Sequence, residues 1–92
     1  MTQIKGQRFF TINAIAGETY CISFESGYTV NITNQTDGII TISDCAYYQN
    51  NNTVSSCIKL AAQSFINGFN HHSNTLYITA EESGYIVVVR TE

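Results

Sequence analysis

The sequence predicts an all-β protein, a single small β-sandwich or jelly-roll of seven or eight short antiparallel strands. Three observations lead to this prediction. Apolar residues alternate with polar ones at a period of two, turn-forming residues separate the alternating runs, and helical periodicity is weak throughout. Because β-branched and aromatic side chains suit a pleated surface that is buried on one side, their enrichment in these runs favours strands.

The alternating runs occur along most of the chain. In order, they cover residues 10–14, 20–24, 28–33, 40–43, 58–60 and 76–80. They have the length of ordinary strands and are largely apolar on one side only. The last run, 85–89, differs because it is apolar at every position.

Turn signals separate these runs. Asp37-Gly38 is the strongest, because aspartate and glycine both tolerate the positive φ that a type I′ hairpin requires. Asn67-Gly68 has the same chemistry, but the polar residues after it predict a longer loop. The one helical candidate is a single turn within residues 56–65.

Length and composition predict one domain, residues 1–92, with a weakly charged surface. Typical domains hold about 100–150 residues, and this chain has 92. Charged residues make up 12% of the chain, against about 25% in ordinary domains. Since sparse charge repels neighbouring molecules weakly, the composition favours self-association. The alternative is a small monomer with a polar surface.

The charge balance argues against two classes of partner. The net charge is −3, and the cations are Lys5, Arg8, Lys59 and Arg90. Scattered cations do not form the basic patch that binds nucleic acid or an anionic membrane, so we expect neither partner. The first eight residues lack the apolar core of a signal peptide, and no run approaches the roughly 18 apolar residues of a membrane span. We therefore expect a protein made in the cytoplasm.

The sequence predicts neither an enzyme nor a metal or cofactor site. His71 and His72 are adjacent, and adjacent side chains on a strand point to opposite faces, whereas a metal site needs three or four ligands. The Gly-x-Ser-x-Gly nucleophile motif is absent. The three cysteines, Cys21, Cys45 and Cys57, favour reduced thiols, although pairing of the last two stays open.

Four aromatic residues near polar loops form a candidate binding platform, namely Tyr47, Tyr48, Phe69 and Tyr77. Apolar sugar faces stack on aromatic rings, and Asn and Gln amides bond sugar hydroxyls, so these rings predict a carbohydrate site. Loops on a rigid scaffold are where binding residues usually lie. The alternative is that the same rings cap the ends of the core.

The last run indicates an interface. A strand that is apolar on both faces is usually buried on both, whereas a lone sandwich normally leaves one face of each strand in water. We therefore predict that Ile86 and Val88 lie at or near a contact between subunits of a homo-oligomer. The alternative is that a loop covers both side chains within one chain.

The chain resembles a family of proteins over most of its length. The segments that carry the resemblance are 17–20, 28–33, 38–43, 76–80 and 84–90, which look like small β-sandwich proteins of tailed-bacteriophage virions, of the head-decoration or head-fibre type. The resemblance implies a non-enzymatic structural or assembly protein of the virion that self-associates, as a trimer first, and docks on a capsid or other virion protein. A dimer is the next expectation, because two-fold assemblies are the commonest. It carries over no functional residue. The alternative function is a small carbohydrate-binding module that uses the loop aromatics.

Overall fold

A computed structural model describes residues 2–5, 9–23, 29–43, 57–70 and 75–91. Within these residues the chain forms nine strands and no helix, which confirms the predicted all-β class. The strands are β1 (Thr2–Lys5), β2 (Phe9–Ala14), β3 (Thr19–Ser23), β4 (Thr29–Thr36), β5 (Ile40–Ser43), β6 (Cys57–Leu60), β7 (Phe65–Asn70), β8 (Thr75–Ala80) and β9 (Gly84–Thr91).

The strands form two sheets. Sheet 1 has the order β1-β3-β8-β5-β6, and sheet 2 has the order β2-β9-β4-β7. Neighbouring strands are antiparallel except β1, which runs parallel to β3 at the edge of sheet 1. Two strands have no counterpart among the alternating runs of the sequence. They are β1, which is mostly polar, and β7, which Asn67-Gly68 interrupts.

The pairing is that of a jelly-roll. β2 pairs with β9, β3 with β8, β4 with β7 and β5 with β6, so the second half of the chain runs back along the first as one long hairpin. Two further pairs, β4 with β9 and β5 with β8, roll this hairpin into two sheets. Jelly-rolls carry eight strands in two Greek keys, and β1 is an addition at the edge of sheet 1.

The core lies between the inner faces of the two sheets. In β8, Leu76, Ile78 and Ala80 are fully buried, while the residues between them are half-exposed. The same alternation in the other strands buries Ile12, Ala14, Tyr20, Ile22, Val30, Ile32, Ile40, Ile42, Leu60, Ile86 and Val88. Each large side chain in this set contributes about 1.5–3 kcal/mol by leaving water.

The predicted interface residues Ile86 and Val88 belong to this core. Neither side chain reaches the surface of a single chain, so the expectation that they contact another subunit is wrong. The outward positions of β9 are Tyr85, Val87 and Val89. A period of two does not show whether the odd-numbered or the even-numbered residues of β9 point inward. The packing of β9 against the other strands of the core determines which set does. Self-association itself stays a prediction.

Asp37-Gly38 is not a hairpin turn, contrary to the prediction. The strands that it joins, β4 and β5, lie in different sheets, and neither residue has positive φ. These residues instead carry the chain from sheet 2 to sheet 1. Glycine fits there for reasons of space, because a Cβ at position 38 would lie 2.7 Å from Cγ and 3.1 Å from Cβ of Glu82.

Two other segments also differ from the prediction. Residues 61–64 form a turn between β6 and β7 instead of a helical turn, with the Ser64 amide donating to the Ala61 carbonyl at 3.2 Å. Asn67-Gly68 lies inside β7 and not in a loop. Gly68 has a φ of +69°, and the register of β4 with β7 shifts opposite it. The residues therefore form a β-bulge.

Candidate interaction surface

The described residues include two of the four predicted platform residues, and these two are not neighbours. Tyr47 and Tyr48 lie outside the described residues. Phe69 lies in β7 of sheet 2, whereas the half-buried Tyr77 lies in β8 of sheet 1. A shared platform of all four rings therefore stays a prediction.

The remaining candidate residues are cysteines and histidines. Cys21 in β3 is a buried free thiol, and Cys57 begins β6. Cys45, His71 and His72 lie outside the described residues. In the described part of the chain there is no group of three His, Cys, Asp or Glu side chains that could hold a metal ion, and no pocket. No helix there is long and apolar enough to cross a membrane.

The outer face of sheet 2 is the surface that stands out. Among the described residues, five large apolar side chains are exposed, and three of them lie on this face. We call it the β9 face. It comprises Phe9, Thr11 and Asn13 of β2, Tyr85, Val87 and Val89 of β9, Asn31, Thr33 and Gln35 of β4, and Phe65 of β7.

The strand register arranges these residues in three rows across the sheet. From β2 towards β7, the rows are Phe9, Val89 and Asn31; Thr11, Val87, Thr33 and Phe65; and Asn13, Tyr85 and Gln35. Small side chains occupy the centre of the face. The three aromatic rings stand around this centre, each on a different strand.

The aromatic rings of the β9 face are strongly exposed. The exposed fraction is 69% for Phe9, 65% for Phe65 and 53% for Tyr85. Val87 and Val89, between them, are half-buried. Phenylalanine is among the residues most often buried in folded proteins, and contiguous exposed apolar patches mark interaction sites. The β9 face therefore has the chemistry of a contact surface.

No residue of the β9 face carries a charge. The described acidic residues all lie in the connections at one end of the sandwich, namely Glu18, Asp37, Glu81 and Glu82. Hydrogen bonds join these connections, from the Ala16 amide to Ser83 Oγ at 3.0 Å and from the Glu81 amide to the Ile39 carbonyl at 3.1 Å. The described carboxylates thus lie at one end of the sandwich, outside the face.

A buried polar network fixes β4, the third strand of this sheet. Asn34 is fully buried, and its amide nitrogen lies 2.9 Å from the carbonyl oxygens of Gly38 and Ala61 and 3.1 Å from that of Leu60. Two amide hydrogens are therefore shared among three acceptors. The Asn34 side-chain oxygen accepts from the Thr36 amide at 2.9 Å and from its hydroxyl at 2.7 Å. A buried network with all its members paired makes the backbone around it rigid.

The same network holds the backbone beside Phe65. Ser64 precedes Phe65 in the chain, and its carbonyl accepts a hydrogen bond from the main-chain N–H of Asn34 at 2.8 Å. Gln63 has a φ of 60°, and its side-chain amide donates to the Thr36 carbonyl at 2.9 Å. The turn that carries Phe65 to the outer face is thus tied to β4.

The outer face of sheet 1 has a different chemistry. It presents mainly threonine and serine, and Thr19 and Thr79 form a hydrogen bond between their hydroxyls at 2.8 Å. It also carries the exposed cation Lys59, and its residues Cys21 and Ser43 are buried. Among the described residues, no exposed large apolar side chain lies on this face.

The β9 face was not predicted from the sequence, because the alternation in β9 was interpreted with the opposite set of residues, Ile86 and Val88, on the outside. One signal pointed the right way: a tyrosine has a polar tip and is often half-exposed, which favours the set that contains Tyr85. A contrary signal was Arg90, a charged residue that shares the parity of Ile86 and Val88.

No protein-family model, no curated protein and no solved structure matches the chain.

Proposed function

We propose that this protein is a non-enzymatic structural or assembly protein, a bacteriophage virion component of the capsid-decoration or fibre type. It acts by self-association and by docking on a larger shell. The observation that carries the proposal is the β9 face, an exposed and uncharged surface with three aromatic rings on a rigid sheet. Exposed apolar surfaces of this kind mark protein interaction sites.

The strand pairing gives the proposal further support. Jelly-rolls are common among viral capsid and lectin domains. Because one fold serves many functions, this topology does not by itself choose between the two. The resemblance of segments 17–20, 28–33 and 38–43 to phage head proteins favours the virion.

The sparse charge fits the same role. Proteins that cover a shell stand side by side at high local density, and like charges on them would repel. With 12% charged residues and a net charge of −3, this chain carries little charge to repel its neighbours.

The composition of the virion tests this proposal. We expect particles purified from the phage or prophage that carries this gene to contain the chain at a copy number comparable to that of a capsid or tail protein, as measured by quantitative mass spectrometry. A chain that is found in the lysate but is absent from purified particles would contradict the proposal.

A polysaccharide-binding measurement distinguishes the proposed virion role from the alternative function, a carbohydrate-binding module. A carbohydrate-binding module would be retained on an immobilised polysaccharide and would lose that retention on Tyr47→Ala or Tyr48→Ala. We expect no retention of the unmodified protein on such a column.

A further inference from the structure

We infer that two copies of this chain pack face to face through their β9 faces to form a symmetric dimer. The inference rests on the self-association in the proposed function and names the surface and the partner. Three properties of the face favour a second copy of the chain as its binding partner. They are its charge, its surface shape and its area.

The charge of the face suits an identical partner. A contact of a face with its own copy brings each residue close to like residues, so a charged face would repel itself. The β9 face has no charged residue, although the chain as a whole carries −3. The described carboxylates lie in the connections at one end of the sandwich, and two copies can approach through the face without placing them in the contact.

The shape of the face also suits contact with the same face of a second chain. Small side chains, Thr11, Thr33, Val87 and Val89, form the centre, and aromatic rings stand around them. Projections and a lower centre are thus present on the same surface. When two such faces meet about a two-fold axis, the rings of one copy can occupy the lower centre of the other, which is the self-complementarity that an isologous contact requires.

The area of the face suits a weak, reversible contact between two copies. Four strands spaced about 4.8 Å apart make the sheet about 19 Å wide, and six to eight residues at about 3.4 Å each make it about 20–27 Å long. The projected area is about 400–500 Å² per copy, so a dimer buries about 800–1,000 Å² in total, which is the size of a weak or transient interface and below that of a stable one. We therefore expect a dimer that forms in the micromolar range.

A self-complementary face also fixes the symmetry. When the same patch of both copies forms the contact, two copies saturate it and the assembly has two-fold symmetry. A three-fold ring instead needs two different patches on each copy. The inference therefore names a dimer in place of the trimer that the family resemblance implies.

Sedimentation velocity and light scattering of purified protein provide the test, at concentrations from about 1 to about 200 µM. We expect the wild-type mass to rise from 10.2 kDa towards twice that value. Val87→Glu places an unpaired charge at the centre of the contact, so we expect it to weaken dimerisation by about 100-fold or more. Its matched control is Thr41→Glu, which adds the same charge at a half-buried outward position of sheet 1.

Circular dichroism and thermal unfolding are the control that tests whether both variants are folded. If Val87→Glu does not fold, Phe65→Gln serves instead, because a side chain that is 65% exposed contributes little to the fold of one chain. A folded, monomeric Val87→Glu or Phe65→Gln beside a dimeric Thr41→Glu supports the inference.

Two results would overturn the inference and leave the docking role in the proposed function standing. One is an oligomer that persists in the Val87→Glu and Phe65→Gln variants, or that proves to be a trimer. The other is a wild type that stays monomeric at about 200 µM but enters particles in a way that Val87→Glu abolishes, since a different virion protein would then cover the face. Absence of the chain from particles contradicts the proposed function separately.

Discussion

The two faces of β9 contain similar residues and differ completely in environment. Ile86 and Val88 point inward and are fully buried, whereas Tyr85 is 53% exposed and Val87 is half-buried. Val87 and Val88 are identical in chemistry and adjacent in the chain. The difference between them shows that the sheet opposite, and not the side chain, decides whether a valine stabilises the fold or is left available for a partner.

The neighbouring strand β4 repeats this contrast with polar residues. Asn34 points inward and has hydrogen-bond partners for both ends of its amide. Gln35, the next residue, is exposed on the β9 face. A polar side chain is therefore tolerated on the inner face where its bonds are complete, and on the outer face where water or a partner supplies them.

The largest effect expected from this contrast is that of Val88→Glu. An unpaired carboxylate in the core should cost about 4 kcal/mol or more, a large part of the roughly 5–14 kcal/mol available to a domain of this size. We expect loss of the cooperative unfolding transition by circular dichroism, whereas Val87→Glu keeps it. A folded Val88→Glu monomer would place Val88 at a subunit contact and would reverse the assignment of the two faces.

Asn34→Ala should have the next largest effect. It removes the side-chain bonds to the carbonyls of Gly38, Leu60 and Ala61 and leaves the buried Thr36 amide without its acceptor, although the Thr36 hydroxyl still donates to Gly38 and the Ser64 amide to Ala61. We expect a loss of about 3–4 kcal/mol in urea unfolding. Gln35→Ala on the outer face is the matched control and should change stability by less than about 0.5 kcal/mol. Equal effects of the two substitutions would show that the Asn34 network does not stabilise the fold.

Gly84→Ala should have a smaller but clear effect at the start of β9. Gly84 has a φ of +149°, and a Cβ there would lie 2.7 Å from Cα of Thr36 in the neighbouring strand. We expect a loss of about 2–3 kcal/mol from backbone strain and crowding together. Gly17 has a φ of +83° but open space around it, so Gly17→Ala should cost only about 1 kcal/mol. Thermal unfolding that ranks the two in the opposite order would contradict the close approach of β9 to β4.

Much of the fold could be predicted from local patterns, and much of the surface could not. Runs such as 28–33 and 76–80 alternate clearly, and in the structure residues 29–33 lie in β4 and residues 76–80 in β8, with the apolar members of these described segments buried. Asp37-Gly38 looked like a hairpin, because the residues of a tight turn and of a crossover between sheets have similar chemistry. Only the pairing of β4 with β9 and of β5 with β8 distinguishes the two.

The sequence by itself determined the all-β class, most of the strands and the scarcity of charge. These properties follow from side-chain type and a period of two, which are local. The tertiary structure decided which set of β9 residues points inward, that residues 37–39 cross between sheets, and that Phe9, Phe65 and Tyr85 share one outer face. A period of two is unchanged when a strand is turned over, so the direction of a strand's faces is set only by the sheet that packs against it.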